Sequence, residues 1–332
     1  MPKILIIRFS SIGDIVLTSP VVRCIRKQVR DAEIHYLTKE SYRPLLAGNP
    51  HIDRIFTIKG QLREVIPQLR KEKYDYIVDL HHNLRSAMIK LSLLRPSGTF
   101  PKKNLQKWLL VRFKMNLLPD LHVVDRYFQA AGRLNVVNDG QGLDHYIPDA
   151  DRIGLATLPS PHQAGYVAFI IGARHQTKIL PDEKIIRLCR RMDRPVVLLG
   201  GPEDQDRGDV IAREAGLLVH NACGRLNINQ SASLVAQADL VVTHDTGLMH
   251  IAAAFRKRIL SIWGNTVPAF GMYPYLPEGF THLSSVQEVN DLKCRPCSKL
   301  GYASCPRKHF RCMNGIDEEV ILRWIASQSI LT

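Results

Sequence analysis

The chain has 332 residues, of which 45% are hydrophobic, and a formal net charge of +14. That length predicts two domains rather than one core, and the composition is that of a globular protein rather than a disordered one. No run of about 18 apolar residues occurs, which excludes a bilayer-spanning helix. The short apolar N-terminus lacks the small-residue cleavage site of a secretory signal, so a cytoplasmic location is expected.

The positive charge favours polyanionic partners such as a phosphorylated substrate or an anionic membrane, and it is unevenly placed. Between Asp79 and Asp120 there is no acid but eight bases, and a second acid-free stretch runs from Asp291 to Asp317.

In chain order, the first predicted strand is Ile4–Arg8. The polar loop Phe9-Ser10-Ser11-Ile12-Gly13-Asp14 follows, and then an apolar helical stretch from Ile15. In an open parallel sheet ligands bind outside the carboxyl ends of the strands, so Asp14 stands where a catalytic base could sit. Its alternative role is a helix cap. The loop has a single Gly and no Lys, unlike a dinucleotide fingerprint or a P-loop, which disfavours nicotinamide and ATP-hydrolysing enzymes.

Further strands are predicted at Glu33–Leu37, Arg54–Ile58 and Tyr76–Leu80. The stretch Asn138 to Gly165 carries Pro, Gly and Asp with weak apolar periodicity and reads as an interdomain linker. It divides an N-terminal domain, 1–150, from a C-terminal one, 160–332. In the second half, strands are predicted at Tyr166–Ile171, Pro195–Leu199, Leu217–His220, Leu240–Thr243 and Ile259–Trp263. Their continuous apolar runs, alternating with helical patterns, imply parallel α/β sheets covered on both faces.

Loops after these strands carry the chemistry. His244-Asp245-Thr246-Gly247-Leu248-Met249-His250 follows a buried-strand pattern and opens a helix. Thr246 and the amides near Gly247 suit a diphosphate, Asp245 suits sugar hydroxyls, and His250 can donate to a phosphate. Lys178 can neutralise a phosphate, and Glu203, after Gly200-Gly201-Pro202, suits a hydroxyl pair. Near the C-terminus Cys294, Cys297, Cys305 and Cys312 are spaced C-x2-C-x7-C-x6-C. The first pair has structural-zinc spacing, yet the later spacings are irregular, so a reduced, locally packed loop is expected ahead of a zinc site. The remaining cysteines fall in apolar patterns. A closing helix is predicted from Asp317 to Ser327, with Ile316, Val320, Ile321 and Trp324 on one face.

Four segments together resemble glycosyltransferase family nine, the heptosyltransferases of the lipopolysaccharide inner core. They are Ile6 to Val16, Val78-Asp79-Leu80-His81-His82-Asn83-Leu84-Arg85-Ser86, Gly200-Gly201-Pro202-Glu203, and Ala238 through His250 to Ala254. The resemblance implies a GT-B fold, with two Rossmann-like domains facing across a cleft. It also implies inverting, metal-independent transfer of a heptose from an ADP-activated donor. Asp14 would be the general base. Lys178, Asp245, Thr246, Gly247, Met249 and His250 would surround the nucleotide sugar, with Ser10, Ser11, Gly13 and Glu203 also on the donor.

The acceptor would be an anionic glycolipid. From charge alone Arg85, Lys102 and Lys103 are its expected contacts, and peripheral contact with an anionic membrane, at the inner face of the cytoplasmic membrane, follows. No cofactor is required by this reading. The alternatives are a family member with another nucleotide sugar or glycan acceptor, a nucleotide-sugar epimerase, and a non-catalytic nucleic-acid-binding protein. No nucleic-acid motif or basic stretch with interleaved aromatics supports the last, so no nucleic acid is expected as partner.

Overall fold

The computed structural model describes residues 1–328; the last four positions of the expected second domain lie outside the described residues. Two parallel sheets form. The N-terminal one contains β1 (Lys3–Ile7), β2 (Glu33–Lys39), β3 (Arg54–Ile58), β4 (Tyr76–Asp79) and β5 (Ser97–Thr99), in the order β3-β2-β1-β4-β5. The C-terminal one contains β6 (Val167–Ile170), β7 (Val196–Leu199), β8 (Val219–Asn221), β9 (Leu240–His244), β10 (Arg258–Trp263) and β11 (Ser284–Glu288), in the order β11-β10-β9-β6-β7-β8. Among the described residues every strand pair is parallel, for example Ile7 beside Asp79 and Ile170 beside Thr243.

The apolar runs are buried on both faces because a helix layer covers each side of each sheet. Ile4 and Ile6 enter one core cluster, whereas Leu5 and Ile7 enter another on the opposite face. The same alternation divides Val197 and Leu199 from Val196 and Leu198 in β7. This period of two is what a central strand imposes on its side chains. The first of these clusters is shared, running from Ile6 and Val22 to Val197, Val241 and Leu248.

Two strands escape sequence reading. β5 is Ser-Gly-Thr, with no apolar signal, and Gly98 is needed there because a Cβ would lie 2.1 Å from the Ala130 carbonyl oxygen. β11 is a half-buried, polar edge strand. Edge strands have one paired side and little apolar patterning.

Between the sheets, residues 138–165 form only short 3-10 turns, at Asp149–Asp151, Leu155–Thr157 and Ser160–His162. They are nevertheless pinned. Arg23 binds Asp139 through both Nε and Nη2 and also pairs with Asp144. His162 Nε2 faces the carbonyls of Val196 and Leu218. The closing helix is Glu318–Ser327, capped by Asp317, with Ile321 and Ile325 buried. Val320 and Trp324 are only partly buried, so the inward face is rotated from the expected one.

Candidate active site

In each sheet the strand order reverses beside the first strand, between β1 and β4 and between β6 and β9. Crevices at such reversals are where open α/β sheets bind ligands. The loop after β1 carries Asp14, and the loop after β9 carries Asp245.

The helix Ile12–Val16 holds Asp14 in its first turn. The Asp14 carboxylate takes hydrogen bonds from the Ser11 amide, at 3.1 Å, and from Ser11 Oγ, at 2.8 Å. Ser11, not Asp14, is therefore the N-cap; Asp14 is the third helical residue and accepts back from the Ser11 amide through one oxygen only. Oδ1 pairs with Nη2 of Arg8 at 2.6 Å. Arg8, just past the end of β1, is buried and donates from Nε to the Ser10 carbonyl and from Nη1 to the Leu80 carbonyl. Burial opposes ionisation of Asp14, yet the Arg8 guanidinium and the Ser11 hydrogen bonds outweigh it and hold the carboxyl below its ordinary range. Asp14 is therefore ionised near neutrality and retains about a fifth of its side-chain surface.

The segment Val78–Ser86 supports this corner. Asp79 is buried and accepts from the amides of His81 and His82 and from Ser86 Oγ, with Lys90 at 3.0 Å. His81 lies against Phe9, and burial followed by the Arg8 charge lowers its pKa to about 4.

On the opposite domain, Thr246 precedes the helix Gly247–Ala254 in extended conformation. Lys178, expected to meet a phosphate, binds Asp245 Oδ2 at 2.5 Å and the Asp245 carbonyl at 3.4 Å. Thr266 Oγ1 donates to the same oxygen at 2.9 Å. An ammonium has three donors, so one N–H of Lys178 is left, while Asp245 Oδ1 takes no hydrogen bond among the described residues. His250 is buried, and burial holds its imidazole at about 4, neutral at physiological pH. Its Nδ1 has no hydrogen-bond partner among the described residues.

The two loops touch through glycines. A Cβ on Gly13 would fall 2.6 Å from Cδ2 of His250, and one on Gly247 would fall 2.5 Å from Cγ2 of Ile12. The N-terminal helix bearing Asp14 thus packs directly on the helix of the Asp245 loop.

The other expected site residues scatter. Met249 has no exposed surface, and its side chain belongs to the shared core. The contacts of Ser10 and Ser11 run to Arg8 and Asp14 rather than across to the Asp245 loop. Glu203 is exposed in the turn Pro202–Asp204 after β7. Its neighbour Asp204 is the buried one, accepting from the Gly201 amide at 2.9 Å. Lys102 is half-buried, and burial, reinforced by Arg8, lowers its pKa. Arg85 is exposed on the helix Leu84–Leu93, and Lys103 begins the helix Asn104–Phe113.

Sequence reading missed Arg8, His81 and Thr266 as neighbours of the site, although Arg8 is a charge ending an apolar strand and His81 lies within a segment that carries the family resemblance.

The four C-terminal cysteines are unpaired. Cys294 Sγ lies 3.9 Å from His309 Nε2. Among the described residues, the ligating atoms that do cluster within 4.8 Å are those of Glu33, His35 and Glu72. Lys3 and Arg54 already neutralise Glu72 there.

A family model, glycosyltransferase family 9 (heptosyltransferase), matches residues 62–300. Lipopolysaccharide heptosyltransferase 1 of Pseudomonas aeruginosa is 25% identical over 325 residues, 90% of this chain and 86% of that protein. Lipopolysaccharide heptosyltransferase 2 of Escherichia coli is 23% identical, over 81% of this chain and 84% of that one. The solved structure of E. coli ADP-heptose lps heptosyltransferase II superposes with a TM-score of 0.75 at 20% identity, covering 99% of each chain. A more distant fold relative is the iron-containing dodecameric glycosyltransferase TibC of enterotoxigenic E. coli, with a TM-score of 0.60 at 14% identity over 100% of this chain and 77% of that one. With the family model covering most of the chain and two Rossmann-like domains meeting at their switch points, this protein belongs to glycosyltransferase family 9, the lipopolysaccharide heptosyltransferases.

Proposed function

We propose that this enzyme transfers a heptose, with inversion, from an ADP-activated donor to an anionic inner-core lipopolysaccharide acceptor. The observation that carries the reading is the meeting of two unlike loops at one point. An ionised carboxylate, Asp14, is held by Arg8 on one domain. A cation and a helix start, Lys178 and Gly247–Ala254, stand on the other. The adenine nucleotide and the heptose are carried over from the relatives, among them E. coli ADP-heptose lps heptosyltransferase II. Residues 1–150 serve as the acceptor-side domain and 160–332 as the donor-side domain.

An inverting transfer needs one base to take the proton of the acceptor hydroxyl as it attacks the anomeric carbon, and Asp14 is that base. Its low pKa keeps it deprotonated, while Arg8 fixes its direction. The bond from the anomeric carbon to the diphosphate oxygen breaks, and negative charge grows on the leaving nucleotide. The free N–H of Lys178 and the amides opening Gly247–Ala254 answer that charge. Those groups supply the positive charge a metal supplies in other transferases, which supports metal-independent transfer. Asp245 Oδ1 accepts from a sugar hydroxyl. Closure across Gly13 and Gly247 excludes water, the competing acceptor.

The test is Asp14→Asn. Donor or ADP should still raise the melting temperature as in the wild type, while acceptor-dependent ADP release falls by about 10²- to 10⁴-fold. Full activity of the variant overturns the assignment of the base. Nucleotide release without acceptor, or none with it, overturns the transfer reaction itself.

A further inference from the structure

The acid-free stretch after Asp79 leaves much apolar surface uncovered. Half of the twenty large hydrophobic side chains exposed among the described residues lie between Leu84 and Leu121. On the helix Leu84–Leu93, Leu84, Met88 and Leu91 recur at helical spacing and are 84%, 55% and 73% exposed. On the helix Asn104–Phe113, Leu105 and Trp108 share an outer face. The Trp108 ring meets the exposed Phe113 ring edge-on at 5.4 Å, so the two form one raised aromatic patch. Arg112 is exposed beside it and Lys103 is at the start of the helix.

The same helix has a second, inward side. Leu110 is buried, and the Lys107 ammonium lies 5.8 Å from the centre of the Phe270 ring of the other domain. Burial, then Arg126, lowers the Lys107 pKa to about 8, and Asp14 and Arg8 also lie within its field. Lys114, just past the helix end, donates to the carbonyls of Cys294 and Pro296 across the gap between domains. The helix therefore stands at the mouth of the cleft, with a basic inner side and an apolar, basic-flanked outer side.

We propose that the outer face of Asn104–Phe113 docks the enzyme on an anionic lipid bilayer, with Leu105, Trp108 and Phe113 at headgroup depth and Lys103 and Arg112 against anionic headgroups. Apolar residues bearing Trp and flanked by Lys and Arg are the pattern of interfacial helices. A second copy of this chain fits poorly, since it would set two acid-free basic faces against each other. Nucleic acid has no use for three exposed apolar side chains in the middle of a basic face. A lipid-anchored acceptor then reaches Asp14 along the inner side of the helix that touches the membrane. Only this last clause rests on the glycolipid reading of the acceptor.

The experiment is co-sedimentation with vesicles containing no acceptor, made of phosphatidylcholine with or without phosphatidylglycerol. Wild-type protein should bind the anionic vesicles, release as NaCl is raised, and bind the neutral vesicles far less. The triple variant Leu105→Ser, Trp108→Ser, Phe113→Ser, checked by thermal melting, should bind at least about tenfold more weakly. Its turnover of a deacylated, water-soluble acceptor should equal that of the wild type. As a second measurement, wild-type tryptophan emission should shift to the blue with anionic vesicles, and the shift should vanish in Trp108→Phe. Absence of wild-type binding, equal binding to neutral vesicles, or an unaffected triple variant overturns the proposal. So does a wild-type dimer that the substitutions dissociate, which would make the face a self-interface. Failure to turn over the deacylated acceptor would overturn the proposed reaction and leave the vesicle result standing.

Discussion

Gly13→Ala isolates the contact between the two loops. Gly13 lies inside the helix Ile12–Val16 and outside the left-handed region, so alanine suits its backbone. In an exposed helix that change stabilises by up to about 1 kcal/mol. The new methyl, however, would stand 2.6 Å from Cδ2 and 3.2 Å from Nε2 of His250. Carbon atoms settle about 3.5–4.0 Å apart, so ring and helix must separate by about 1 Å. His250 is buried on the helix Gly247–Ala254 and has little room to yield. Overpacking of this kind costs about 1–3 kcal/mol, here charged to the closed arrangement rather than to either domain. The expected result is kcat/KM lowered about 5- to 150-fold, measured as acceptor-dependent ADP release, with an unchanged or slightly raised melting temperature. Gly247→Ala places its Cβ 2.7 Å from Ile12 Cβ and should act alike. Because both loosen one contact, the double variant should lose less than the sum of the two. A folded Gly13→Ala with kcat/KM within about twofold of wild type would refute the idea that close domain contact here is needed for turnover.

Arg8→Met leaves the Asp14 carboxylate without its counter-charge. Removing one member of a buried pair costs roughly 3–5 kcal/mol, and roughly 2–3 is expected here because Asp14 keeps a fifth of its surface. The acid limb of the activity–pH profile should move to higher pH, since burial of Asp14 is then opposed only by the two Ser11 hydrogen bonds; an unmoved limb would separate Arg8 from the base. Acid stability offers a third check. Burial holds His122, His244 and His250 at about 3, 3 and 4, against 6.5 in the unfolded chain. The unfolded state therefore binds more protons in that window. Their contribution is complete above pH 6.5 and is lost as the pH falls towards 4. His244 shows why: its Nε2 accepts the Leu180 amide at 3.0 Å, which a protonated ring cannot do. With more than one such group, urea midpoints followed by pH should give a slope above about 1.4 kcal/mol per unit. Constant stability between pH 6.5 and 4.5 would contradict this account.

The sequence by itself determined the alternation of strands and helices, the double-sided burial of Ile4–Ile7 and Leu240–Val242, and the two loops bearing Asp14 and Asp245. These are short-range matters of side-chain period and turn chemistry, legible in a window of a dozen residues. It left β5 and β11 unseen, because a Ser-Gly-Thr strand and a polar edge strand exist only through their neighbours. Only the tertiary structure decided what the site residues do. Lys178 and Asp245 lie 67 positions apart and become one pair because β6 and β9 are adjacent. Met249 and His250 are consecutive, yet one packs in the core and the other against Gly13 of the opposite domain. Arg8 meets Asp14 through the turn that leaves β1. Such pairings depend on strand order and domain contact, which set distances that no local pattern encodes.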